Sequence, residues 1–372
     1  MGSRNRSRRS VLKTGAALAS VGVVGSLSGC SGMLSDDGDT ADGDSGADGA
    51  AGDIPARSSV AMSMSFDAVL EDQAVRGAVN NALSSQSDSA SMLPSSVSEA
   101  FGMVEEESGV DPRKLNDVVL FGESSDDGDE SEYVGWLVYT DWSQAELQSY
   151  LDEKRASTPD GETASGGSYG DVTTEEYGGT TVYVNEDMDD STERMAILSD
   201  GTVVLGRAGA TNDVIDIRNG DGDAISGELL SAWEAASGEY ATIAMDITPE
   251  DLPDGQAEAA APTVRNIEYV YGSVYADGDK RGVRFNLETG SEQDAEDVKA
   301  FLDGQMALEE GTAEDPQTEA MLDNTEITTA GTTVVITNEV DIDTITPAIE
   351  QFVTLFVAEQ SARATAGSSV TF

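Results

Sequence analysis

The side chains able to do chemistry in this 372-residue chain are 71 acids, ten tyrosines, and hydroxyls, amides and a few lysines; there is no histidine, and one cysteine, Cys30. Nucleophiles activated by an imidazole, histidine-held zinc, copper or haem, and structural disulfides are thereby excluded. Two facing carboxylates about 5–10 Å apart would suffice for glycoside hydrolysis. With 71 acids such pairs arise by chance, however, and none stands in a recognisable motif. Lys114, Lys154, Lys280 and Lys299 lie outside any Ser-x-x-Lys context. The loop Gly166-Gly167-Ser168-Tyr169-Gly170 lacks the Lys and following helix of a phosphate cradle. No catalytic residue is assigned, and no cofactor or metal site is expected.

Two stretches merit weighing as binding elements. In Tyr269-Val270-Tyr271-Gly272-Ser273-Val274-Tyr275, strand alternation puts Tyr269, Tyr271 and Tyr275 on one face. Such a row can stack on sugar rings or other planar ligands, or lie under a helix as a half-buried sheet face. Trp136 and Trp142 flank a strand of the first half and invite the same reading. Asn219-Gly220-Asp221-Gly222-Asp223-Ala224-Ile225-Ser226-Gly227-Glu228-Leu229 resembles an EF-hand loop in the wrong register. With Glu228 in the last liganding place the first falls on Ile217, and Ala224 fills the apolar slot, so an acidic surface loop before a helix is the better reading.

Ahead of these elements stands an address. Ser7-Arg8-Arg9-Ser10-Val11-Leu12-Lys13 precedes the moderately apolar run Gly15 to Leu27, and Leu27-Ser28-Gly29-Cys30 follows. The pattern resembles the signal peptides of twin-arginine lipoproteins, exported already folded, in which the cysteine after the cut becomes the first residue and carries a thioether-linked lipid. The resemblance implies that Arg8 and Arg9 are read by the twin-arginine export machinery and that Cys30 is lipidated. The apolar run is shorter than the roughly 20 residues a spanning helix needs. The mature chain is therefore expected on the outer face of the cytoplasmic membrane, extracellular and held by lipid.

Composition describes the solvent. Five of the 20 basic residues and none of the acids fall in the signal, so the mature chain sets 15 basic residues against 71 acidic ones, a net charge of −56. Yet 38% of the residues are hydrophobic, with regular periodicity, which a merely disordered chain does not show. Molar salt reconciles the two, because at 1 M the Debye length is about 3 Å. Lysine is also scarce beside arginine, five to fifteen. The whole resembles proteins of extremely halophilic archaea. Nucleic acid is a poor partner for such a surface.

Residues 31–53, rich in Asp, Gly, Ala and Ser, read as an acidic flexible tether. Beyond it the chain repeats itself. The helical pattern Asp141 to Lys154, with Leu147, Tyr150 and Leu151 apolar, returns in Ser291 to Gln305 as Val298, Phe301 and Leu302. Asp141 with Gln144, and Ser291 with Asp294, are the expected caps. Gly179-Thr180-Thr181-Val182 is echoed by Gly331-Thr332-Thr333-Val334, the β-rich run Tyr133 to Tyr139 by Val283 to Leu287, and Val60 to Asp67 by Tyr240 to Asp246. The first copy has an extra strand pair, Met195 to Leu198 and Thr202 to Leu205. The second closes with a helix begun at Thr346-Pro347 whose apolar stripe is Ile349, Phe352, Val353, Phe356 and Val357.

The expected fold class is α+β: two similar units of mostly antiparallel sheet with helices packed on one face, after a disordered tether. The organisation is 1–29 signal, 30–56 anchor and tether, 57–237 first unit and 238–372 second unit. The expected function is non-catalytic binding of a ligand or partner, or an envelope structural role. The alternatives are a carboxylate-dependent hydrolase of envelope or extracellular polymers and a divalent-cation binder. A transporter's solute receptor fits poorly, since the repeated parallel βαβ pattern is missing.

Overall fold

The structure is a computed structural model and describes residues 47–87, 94–123, 133–157, 172–185, 193–199, 201–236, 238–247, 262–311, 316–344 and 346. In chain order the first half contains α1 (Ala47–Ala50), β1 (Val60–Ser65), α2 (Phe66–Glu71), α3 (Gln73–Ser87), α4 (Val97–Ser108), β2 (Leu115–Gly122), β3 (Val134–Thr140) and α5 (Gln144–Ser157). It continues with β4 (Val172–Tyr177), β5 (Thr180–Asn185), β6 (Glu193–Ile197), β7 (Thr202–Arg207), α6 (Ala208–Asn219) and α7 (Gly227–Ala235). The second half contributes β8 (Ala241–Asp246), β9 (Ile267–Asp277), β10 (Lys280–Thr289), α8 (Glu292–Glu310), α9 (Pro316–Asp323), β11 (Thr325–Ala330) and β12 (Thr333–Asp341).

All these strands join one 12-stranded sheet in the order β11-β12-β10-β9-β8-β1-β2-β3-β7-β6-β5-β4, every neighbouring pair antiparallel. Read outward from the central β1–β8 pair, the second half runs β8, β9, β10, β12, β11, and the first half runs β1, β2, β3, then β5, β4 once β7 and β6 are set aside. The additional hairpin legible in the sequence is thus an insertion between β3 and β5, where the second half pairs β10 directly with β12. The two halves are fused through β1 and β8, so the boundary near residue 237 is a joint within one sheet and not a gap between bodies.

Strand alternation sorts the side chains onto two faces. On the back, Val138, Ile197 and Val203 lie under Leu147 and Leu151 of α5, and Leu287, Val334 and Ile336 lie under Ala295 and Val298 of α8. The two equivalent helices therefore cover the same face, as the repeat requires. On the front, Ala61, Val119, Leu137, Val182, Ala196 and Val204 meet Ala210, Val214 and Ile215 of α6 and Leu229, Ala232 and Trp233 of α7. These helices follow the inserted hairpin, so the first half is covered on both faces.

The reading of residues 30–56 as tether is corrected at its end. Ala50, Ala51, Asp53 and Ile54 are buried, Ile54 completely. Ile54 accepts from the Ile225 N–H (2.8 Å), Ala56 donates to the Asp223 carbonyl (2.9 Å), and Pro55 bridges Ala224. Asp53 receives the Tyr139 hydroxyl (2.9 Å) and Arg218 (2.5 Å). Small side chains, weak as a hydrophobic signal, let this backbone lie close against α6 and α7. The folded body therefore begins by Ala47 and not at residue 57.

The helix caps divide. Ser291 accepts from the Asp294 N–H as expected (3.2 Å). In the first half the box is Ser143 with Glu146, two residues after the expected Asp141: Ser143 N–H donates to Glu146 (2.8 Å) and Glu146 N–H to Ser143 (3.3 Å). The closing helix from Thr346-Pro347 lies, after residue 346, outside the described residues.

Candidate functional site

The tyrosine row falls on the front of the second half, starting under α7 and running out from it. Register places Tyr269 beside Glu288 of β10, Tyr271 beside Asn286, Ser273 beside Arg284 and Tyr275 beside Gly282. One strand further out these meet Thr333, Val335, Thr337 and Glu339 of β12. The three tyrosines are half-buried, and Arg284 is exposed. Among the described residues, α7 reaches this face over β8 and β9.

Each tyrosine is held differently. Tyr269 donates to Glu228 in the first turn of α7, and burial with that partner pushes its hydroxyl up to about 12. Tyr271 packs against the front core, with its hydroxyl bonded to that of Thr333; burial, with the Glu288 charge behind it, raises its pKa. Glu288 in turn accepts from Thr332 (2.6 Å) and Thr333 (2.8 Å). Tyr275 donates to Glu339 (2.7 Å) and is also pushed up to about 12, first by burial and then by that carboxylate. The Arg284 guanidinium lies 5.3 Å from its ring centre.

Tyr275 reaches across β10 to β12 because Gly282 stands between them. A Cβ at Gly282 would come within 2.4 Å of the Tyr275 ring. Gly282 thus positions the ring, a role its place in Lys280-Arg281-Gly282-Val283 did not announce. Replacing it by valine should throw the ring off Glu339 and let the Tyr275 hydroxyl titrate nearer the ordinary tyrosine value of about 10, read by ultraviolet titration. An unchanged titration would mean that the ring finds Glu339 without the glycine.

Trp136 and Trp142 form no matching platform. Trp136 pairs with Leu120 and Leu205 on the back face and is 41% exposed. Trp142 follows β3, packs under α5 and donates to the Asp111 carbonyl (2.8 Å). Face parity explains the difference, since a one-residue shift along a strand reverses the side. In the EF-hand-like loop the backbone does the holding. Gly220 ends α6 in the left-handed conformation (φ 79°), and Asp223 and Ala224 clasp the incoming segment at Pro55 and Ala56. No group of three or more acids or cysteines suited to a metal occurs among the described residues.

One carboxylate that belongs to no motif stands out electrically. Asp117 of β2 is buried, bonded to Ser65 and near Asp67, and burial pushes its pKa up to about 6. Nothing in sequence marks it among 71 acids. Arg8, Arg9 and Cys30 lie outside the described residues.

No known family's profile matches the chain, and no curated protein does. Crystal forms I, III and IV of a protein named TP0453 are 8–9% identical to it, with TM-scores of 0.39–0.40, covering 80–81% of this chain and 95–97% of that one. Among the described residues no helix is long and apolar enough to cross a membrane.

Proposed function

We propose that the chain is an exported lipoprotein of the outer face of the cytoplasmic membrane that binds a ligand or partner without catalysis, on the tyrosine face of its second half. The carrying observation is the row Tyr269, Tyr271 and Tyr275 on a half-exposed sheet face, bordered by Glu288, Glu339 and Thr333. Ring faces and fixed carboxylate acceptors suit a polyhydroxylated ring. Neutral oligosaccharides are accordingly the first probe. Tyr275→Ala should abolish their effect on tyrosine fluorescence while leaving the unfolding midpoint within a few degrees. Saturating sugar without any response would assign the face to packing alone.

The anchor has its own test. Support comes from Arg8-Arg9 and Leu27-Ser28-Gly29-Cys30 standing in the order and spacing of a twin-arginine lipoprotein signal. Wild type from native membranes is expected to begin at Cys30 with added lipid mass and to partition into detergent. Cys30→Ser is expected to be shed or to retain its signal. An unmodified, freely soluble wild type would sink the anchored reading and leave a secreted factor.

A further inference from the structure

Trp136 stands 41% exposed within β3, on the back of the sheet, although its strand lies well inside the strand order. Register extends its surroundings sideways. Leu205, Trp136, Leu120, Met62 and Ile243 lie side by side on β7, β3, β2, β1 and β8. Val134, Val60 and Met245 belong to the next row towards the strand ends. Apart from Trp136 and the buried Ile243, these side chains are half-buried.

Helices border this floor. On one side α5 packs on Val138, Val203 and Leu205, and on the other α8 packs on Leu287, Val334 and Ile336. One row further down the strands, Ala68 of α2 joins Ala241 and Val274. The floor is thus the bottom of a trench walled by α5, α8 and α2.

The chemistry of the floor narrows its occupant. In a chain with 71 acids none of these eight side chains is charged, and the Trp136 indole N–H is their only strong hydrogen-bonding group. A polar occupant would lose its water there without replacement, whereas an aliphatic chain loses nothing. Met62 and Met245 are flexible enough to follow such a chain.

Dimensions narrow it further. From Leu205 to Ile243 the row crosses four interstrand spacings, about 19 Å, while the two rows occupy only about 7 Å along the strands. A helix with its side chains, about 10–12 Å across, is too wide for this strip. Its area also falls well short of the roughly 800 Å² that a protein partner covers. A bilayer surface is kept off by the walls, since α5 and α8 rise about 10 Å above the sheet and carry three and seven acids.

We infer that the trench holds a single hydrocarbon chain of a lipid-like amphiphile, laid across the strands from Leu205 to Ile243 and against the Trp136 ring. The site lies on the opposite face of the sheet from the tyrosine row, so neither depends on the other.

The test uses the full chain carrying Cys30→Ser, free of any lipid of its own, in molar KCl without detergent. The probe is ω-bromododecanol below its aggregation threshold, whose bromine quenches a tryptophan that it touches. Saturable quenching is expected, with none from bromoethanol at the same concentration and none in Trp136→Phe. The nearly isosteric changes Leu120→Asn and Met62→Gln keep the reporter and should each weaken binding at least ten-fold. Equal quenching by the two alcohols, or unaltered affinity in both floor variants, would overturn the inference. So would quenching seen only with brominated phosphatidylcholine in intact vesicles, which gives the floor to a bilayer. A concentration-dependent dimer abolished by Leu120→Asn overturns it too, giving the floor to a second copy.

Discussion

Replacing Arg281 by methionine should cost about 3–5 kcal/mol of folding stability, the loss typical of a buried ion pair deprived of one partner. Arg281 and Asp72 are 4% and 2% exposed, so neither charge is solvated. One Asp72 oxygen accepts from Arg281 Nε (3.0 Å) and Nη2 (2.8 Å), and the other accepts the Ala74 and Val75 N–H groups (2.7 and 3.3 Å) at the start of α3. Arg281 also donates to the Gly278 and Lys280 carbonyls (2.9 and 2.7 Å). The pair fastens α2 and α3 of the first half to β10 of the second. Methionine would leave the Asp72 carboxylate buried without its cation. Because water and salt are excluded from the pair, the loss should be nearly the same in 1 M and 4 M KCl, whereas surface charge effects vanish at such salt. The double variant Asp72→Asn/Arg281→Met removes both charges and should recover much of the loss. Denaturant unfolding in the two salts decides the matter: a loss below about 1 kcal/mol, or one that fades with salt, would show that the pair is effectively at the surface.

Several of the strands and the inserted hairpin were legible because period-two alternation and repeated turn residues are local signals, whereas which strands lie side by side across the sheet was not. The Gly331-Thr332-Thr333 echo of Gly179-Thr180-Thr181 located β5 and β12 correctly, although what separates them in the two halves is a long-range pairing. The fusion of the halves through β1 and β8 was not legible, since both strands read alike whether they pair with each other or with a strand of their own half. The docking of Ala50, Ala51 and Ile54 was hidden for a different reason. Small residues bury little area each, and their contribution comes from close backbone approach and from hydrogen bonds to Asp223 and Ile225. At the candidate site the tyrosine row followed from alternation alone. Gly282 did not, because its role depends on which residue lies across the strand pair.

Asp117→Asn should stabilise the protein at pH 8 by up to about 3 kcal/mol and leave it unchanged below about pH 4. Asp117 stands on the front face between Ser65 of β1 and Tyr139 of β3, only 7% exposed. Burial raises its pKa to about 6, with the Asp67 charge adding to the rise and the Ser65 hydrogen bond opposing it. A carboxyl whose pKa is higher folded than unfolded favours folding while it is protonated in both states. That contribution is complete below the unfolded value and is lost as pH rises through about 6. Above that range the wild type must bury a charge, and every tenfold rise in proton affinity on folding then costs about 1.4 kcal/mol. Asparagine keeps an acceptor for Ser65 and carries no charge at any pH, so the two stability curves should meet in acid and separate between about pH 4 and 7. Desolvation, not repulsion, dominates the rise, and the separation should therefore persist in molar KCl. Parallel curves across this range would show that the Asp117 carboxylate is hydrated in solution. With so many acids tuned to solvent, one buried against it marks where packing of β1, β2 and β3 outweighs the electrostatic cost.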